Sequence, residues 1–152
     1  MNDEFKEIIE HIPLLLEKLI TSPLRPWEDL GSLPKRGIYV FYENGQAIYV
    51  GRTNRMRERI KEHGIPRSSH NSAPFAFNLA KKSADNKGVD LSQQRSSLEK
   101  DPVFADLFTQ AKKRVSRMSV RVIEIDNPIV QTIFEVYAAM ELKTPYNDFE
   151  TH

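Results

Sequence analysis

The chain has 152 residues and no cysteine, which allows one domain with a self-sufficient core and excludes disulfides, thiol nucleophiles and thiolate zinc sites. A cysteine-free chain agrees with a reducing, cytoplasmic setting. The net charge of +1 hides a division: residues 1–51 carry 5 Lys and Arg against 8 Asp and Glu, residues 52–121 carry 16 against 7, and residues 122–152 carry 1 against 6. A basic middle is what a polyanion partner needs, although a solvated charged face gives the same count.

MNDEFKE at the N-terminus is too acidic for a signal peptide, and Glu10, His11, Pro13, Glu17 and Lys18 break the apolar residues after it. No targeting or membrane-spanning segment is expected. Residues 3–21 have helical spacing, with Pro13 expected to kink or split the helix near His11. Residues 22–36 hold Pro23, Pro26, Trp27, Gly31 and Pro34 and read as an irregular linker with Trp27 as an anchor. Residues 1–35 are therefore expected to be a helical extension and linker, followed by one compact domain over residues 36–152.

Gly37 to Tyr42 and Gln46 to Val50 are strand-like, and Asn44-Gly45 between them signals a hairpin. A helix should start after Asn54 with that residue as cap, turn Met56 and Ile60 inward, and end at Gly64 before Pro66. FAFNLAKKSA reads as a helix between loops, and Ser92 to Arg117 as one or two helices with Pro102 at an early position. RMSVRVIEID alternates as a third strand. Pro128 opens a last helix with an apolar stripe of Ile129, Ile133, Val136 and Met140, and TPYN closes it.

Gly37-Ile38-Tyr39, Tyr49-Val50-Gly51, Arg59, Glu135 and Asn147, in this order and spacing, resemble the GIY-YIG nuclease family over residues 36–148. The resemblance implies an α+β fold, a small three-stranded antiparallel sheet flanked by helices. It implies a metal-dependent DNA endonuclease using Mg²⁺ or Mn²⁺. Its catalytic set would be Tyr39, Tyr49, Arg59, His63, Glu135 and Asn147, with Glu135 as the metal ligand and Arg52 and Arg55 binding DNA phosphates. His63 stands where some restriction-type members carry His and excision-repair relatives carry Tyr, which tilts the resemblance toward the restriction branch. Arg52 stands where relatives often have Lys.

The chemistry needs these residue types. Phosphodiester hydrolysis requires an activated water, charge neutralisation at the phosphate and stabilisation of the leaving oxygen. Arg59 presents a planar donor fork that stays charged, and Arg55, Arg59 and His63 share a face at i,i+4 spacing. Glu135 is a hard oxygen ligand, and Mg²⁺ commonly takes only one or two carboxylates; Ala138 and Ala139 are expected to leave room beside it. A phenol with its ordinary pKa of roughly 10 is a poor base at neutral pH, so Tyr39 or Tyr49 must lie beside cations. In an unrelated chain a strand tyrosine is usually packing, a run of arginines a solvated face, and Asn147 an Asx turn.

Two other readings stand beside this one. Glu141-Leu142-Lys143 imitates the Glu-x-Lys end of another nuclease family, but lacks an upstream Pro-Asp partner. The other is a catalytically idle DNA-binding or interaction module on the same fold, and a protein partner or homodimer is open in either case. For the hairpin itself, a three-residue loop of Glu43-Asn44-Gly45 is expected, with positive φ at Gly45 and a bulge, pairing Tyr39 with Tyr49. Both phenols would then face one side, toward Arg59 and Glu135.

Overall fold

The computed structural model describes residues 1–85 and 87–150. Six α-helices and four strands are present among the described residues: α1 Asp3–Ile20, β1 Arg25–Pro26, β2 Gly37–Glu43, β3 Gln46–Thr53, α2 Met56–Glu62, α3 Pro74–Ser83, α4 Arg95–Leu98, α5 Pro102–Val115, β4 Ser119–Glu124 and α6 Pro128–Leu142. The sheet is antiparallel throughout, in the order β1-β4-β2-β3, so the expected three strands become four. The extra one is the short Arg25–Pro26 pair at the edge of β4; two residues inside a proline-rich linker carry no alternation that could announce a strand. None of the helices is long and apolar enough to cross a membrane, among the described residues.

The chain divides into two compact units. Unit 1 comprises Met1–Arg57 and the described chain from Ser119 onward; unit 2 is Glu58–Met118. Unit 1 carries 10 Lys and Arg against 14 Asp and Glu, and unit 2 carries 12 against 7, so the basic excess of the middle belongs to the helical unit.

In unit 1, one face of the sheet supplies Ile38, Val40, Val50 and Ile123 to a core shared with Ile12 and Leu19 of α1 and Phe134, Ala138 and Ala139 of α6. α1 is thus a core element of this unit. It is assigned as one helix despite Pro13, which falls inside it. The missing N–H of Pro13 costs one helical bond, and the amphipathic packing of eighteen residues outweighs that loss.

Most of the apolar stripe expected on α6 faces outward, and of its four residues Ile133 packs against the core. Ile129, Val136 and Met140 are 54%, 40% and 72% exposed, and the buried side is Gln131, Phe134, Ala138 and Ala139. α6 is apolar on most of its circumference, so periodicity could not choose a face. Packing chose the small residues, which let the helix approach the sheet closely, and Gln131, whose amide Nε2 donates to Ile125 O at 2.6 Å.

In unit 2, α3 and α5 pack around Phe77, Phe104 and Phe108, whose ring centroids lie 5.0 to 6.5 Å apart. Pro102 sits at the start of α5 behind Asp101, whose carboxylate accepts from Val103 N and Phe104 N as the cap.

Candidate active site

The hairpin closes through a two-residue turn: Glu43 pairs with Gln46, and Asn44 and Gly45 have φ of 52° and 78°. Both values belong to the primed turn that matches strand twist. The positive φ at Gly45 agrees with expectation, and the three-residue loop does not. The register then slips between Phe41 and Tyr42: Tyr42 pairs with Ala47 but Phe41 pairs with Tyr49, leaving Ile48 as the extra residue of a bulge. Tyr39 consequently pairs with Gly51. Because paired residues and i,i+2 neighbours share a face, Tyr39, Phe41, Tyr49 and Gly51 line one side of the sheet together. The two tyrosines do share a face, through the bulge instead of the loop.

That face is opposite the one on which α6 packs, since Ile38, Val40 and Val50 alternate with the tyrosines and belong to the α1–α6 core. The phenols therefore do not look toward α6. Tyr39 is 1% exposed and meets Phe41 edge-on at 5.8 Å, whereas Tyr49 is half-buried.

Glu135 reaches β3 at its outer edge. β3 is an edge strand, so alternate residues turn N–H and C=O away from β2. Those groups are taken by α6 and the chain after it. Tyr146 N donates to Ile48 O at 3.3 Å. The Asn147 amide spans the next outward residue, accepting from Val50 N at Oδ1 and donating from Nδ2 to Val50 O, both at 2.8 Å. Thr144 Oγ1 donates to the same Oδ1 at 2.8 Å. Two residues further along, Arg52 lies beside the Glu135 carboxylate, its charge and its backbone N–H both acting to lower the carboxyl's pKa. Asn147 and Glu135 thus occupy consecutive outward positions on one strand edge.

Burial pushes the Glu135 carboxyl up from its ordinary range, opposed by the Arg52 charge and by the hydrogen bond from its backbone. Arg52 is held there by Nη1 donating to Pro128 O at 3.1 Å. A single carboxylate can be enough for a hard cation that keeps its waters, so Glu135 is the residue that could hold one. Among the described residues no three His, Asp or Glu side chains converge on a common point. Ala138 and Ala139 do not open space beside the carboxylate; they are buried in the core.

Arg55 is exposed just before α2, with its N–H donating to Thr53 Oγ1 at 2.9 Å. The Asn54 side chain accepts from Gln131 Nε2 at 3.3 Å, and Met56 N donates to Lys35 O at 2.9 Å, so the helix entry is held by Thr53 and Lys35. Met56 and Ile60 are buried as expected.

Within unit 2, Arg59 Nη1 donates to Ser72 O at 2.8 Å and to Glu62 Oε2 at 3.0 Å, and the side chain is half-buried. His63 lies past the helix end, is 0% exposed and meets the Phe75 ring edge-on at 6.3 Å. Burial and then the Arg59 charge hold the imidazole well below its usual pKa. Of the three residues expected on one helix face, only Arg59 lies within α2.

Residues 64–73 form a loop clamped from three elements: Arg59 bonds Ser72 O, Lys112 Nζ donates to Pro66 O at 2.6 Å and Ser68 O at 2.8 Å, and Glu99 accepts from His70 N. Sequence reading missed Lys112, which is 5% exposed and sits 4.2 Å above the Phe108 ring; only its place in the buried stripe of α5 could have marked it. Glu141 and Lys143 are both exposed, and Lys143 is the left-handed cap of α6, as expected of a helix end.

Compared with known proteins, the chain matches no family model, and neither a curated protein nor a solved structure is similar enough to count as a relative.

Proposed function

We propose that the chain is a metal-dependent DNA endonuclease with a GIY-YIG-like, restriction-type catalytic domain. The observation that carries this reading is the edge of β3, where Glu135 and Asn147, twelve residues apart in sequence, meet consecutive outward residues of the strand that also bears Tyr49.

In this mechanism a water attacks phosphorus and the sugar oxygen departs. Tyr49 is assigned as the general base, its phenolate form taking the water proton, because Tyr39, 1% exposed, lacks access to solvent. Arg59 is assigned to the non-bridging phosphate oxygens, with the neutral His63 supporting it and Arg52 and Arg55 meeting flanking phosphates. A divalent cation held by Glu135 would supply positive charge for the developing oxyanion. The absence of cysteine suits a cytoplasmic location.

The test is incubation of the full chain with supercoiled, linear and branched DNA under Mg²⁺, Mn²⁺ and chelator. Glu135→Ala and Arg59→Ala should each lose about 100- to 1000-fold in cleavage, the usual worth of such contacts, with folding intact. Cleavage at wild-type rate by either variant would sink the mechanism. Tight DNA binding without cleavage by the wild type would favour the idle-module reading.

A further inference from the structure

The cations of unit 2 are not equivalent. Lys112 directs its charge to carbonyls of the 64–73 loop, Arg59 belongs to the site proposed above, and the Arg95 guanidinium stands 5.5 Å from the Phe77 ring centroid. Lys113 and Arg117 are exposed, and with Arg114 they line a groove of about 450 Å³ between α3 and α5. Its floor includes Leu79 and Ala111, and no acidic residue lines it. Asp106 approaches from α5 only to accept from Gln110 Nε2 at 2.7 Å.

Cations in the last turn of a helix answer its dipole, and that accounts for Lys113 and Arg114 in part. It does not account for Arg117 beyond the helix, nor for a groove wall without a carboxylate. Gln110 to Arg117 extends for about 10 Å at helical rise, a length over which one DNA strand presents roughly three phosphates.

We infer that this groove seats the sugar-phosphate backbone of duplex DNA, independently of base sequence; the choice of DNA as the polyanion rests on the nuclease reading above. A lipid surface fits poorly, because the apolar residues are recessed: Leu79 is 1% exposed and Ala111 6%. Acting through phosphates, the groove sets affinity and orientation while leaving base preference to other contacts.

The experiment measures anisotropy of a labelled duplex with the full chain in chelator, over about 50 to 200 mM salt. Three proteins are compared: wild type, Lys113→Gln with Arg117→Gln, and a control of equal charge loss in unit 1, Lys6→Gln with Lys18→Gln. Losing two phosphate contacts should flatten the log-log salt slope by about 1.8, so that the affinity lost across that salt range shrinks by about tenfold. The control should keep the wild-type slope. Equal weakening by both pairs, absence of duplex binding, or preferential binding to phosphatidylserine vesicles would overturn the inference. Cleavage under Mg²⁺ is scored separately. Groove-dependent binding without cutting leaves the groove standing and removes the nuclease reading; cutting with wild-type binding by the Gln pair removes only the groove.

Discussion

Tyr39 stands opposite Gly51, and its phenol ring fills the space that a side chain at position 51 would occupy. An added Cβ would overlap both the ring and the hydroxyl. The ring has little room to retreat, being 1% exposed and packed against Phe41. Gly51→Ala is therefore expected to destabilise by about 1 to 3 kcal/mol, as overpacking does. Tyr39→Ala in the same background should recover part of the loss in a double-mutant cycle measured by urea unfolding. Additive costs would mean that the two positions do not compete for space.

Asn147 supplies a donor and an acceptor to Val50, so Asn147→Ala exposes an otherwise satisfied strand edge. A cost of about 1 to 3 kcal/mol is expected from the unpaired groups. The local readout is amide exchange at Val50, which should quicken more than exchange at Val40 on the neighbouring strand. Unchanged protection at Val50 would contradict the clamp.

His63 couples stability to acid. Its folded pKa lies well below the ordinary value of 6.5, owing first to burial and then to Arg59. As pH falls through 6.5 the unfolded chain takes up a proton that the folded chain refuses, so stability is lost downward from that point until the folded pKa is reached. Wild-type stability should change by up to about 1.4 kcal/mol per pH unit more steeply in that window than stability of His63→Gln. Parallel pH profiles of the two proteins would show that the fold leaves the imidazole's pKa unshifted.

Glu135 works in the other direction. Its folded pKa is raised by burial, so the folded state holds its proton more tightly than the unfolded state, and stability declines as pH rises from the unfolded pKa through the folded one. Glu135→Gln should therefore unfold at higher urea than wild type at pH 7, with the gap closing in acid. The same variant should lose cleavage by about 100- to 1000-fold. A variant less stable than wild type at pH 7 would mean that the carboxylate is a structural ion-pair partner of Arg52.

Much of the fold was legible because its signals are local. Asn44-Gly45 marked a hairpin, Pro102 and Pro128 marked helix starts, and RMSVRVIEID marked β4, each within a few residues of where the element lies. The 64–73 loop was legible only as a loop. Besides the nearby Arg59, what clamps it comes from Lys112 and Glu99, each more than 25 residues away, and a lysine looks solvated in sequence until a folded partner desolvates it.

The sequence by itself determined that Tyr39 and Tyr49 sit in paired strands around a glycine turn, because turn preference and side-chain alternation depend on neighbours alone. Tertiary structure decided the rest. It placed the phenols on one face through a bulge at Ile48 and turned the small side of α6 inward. It also brought Asn147 and Glu135 to the edge of β3. A bulge, a choice among apolar faces and an edge contact are settled by packing between segments far apart in the chain, where close approach and satisfied backbone groups outweigh local pattern.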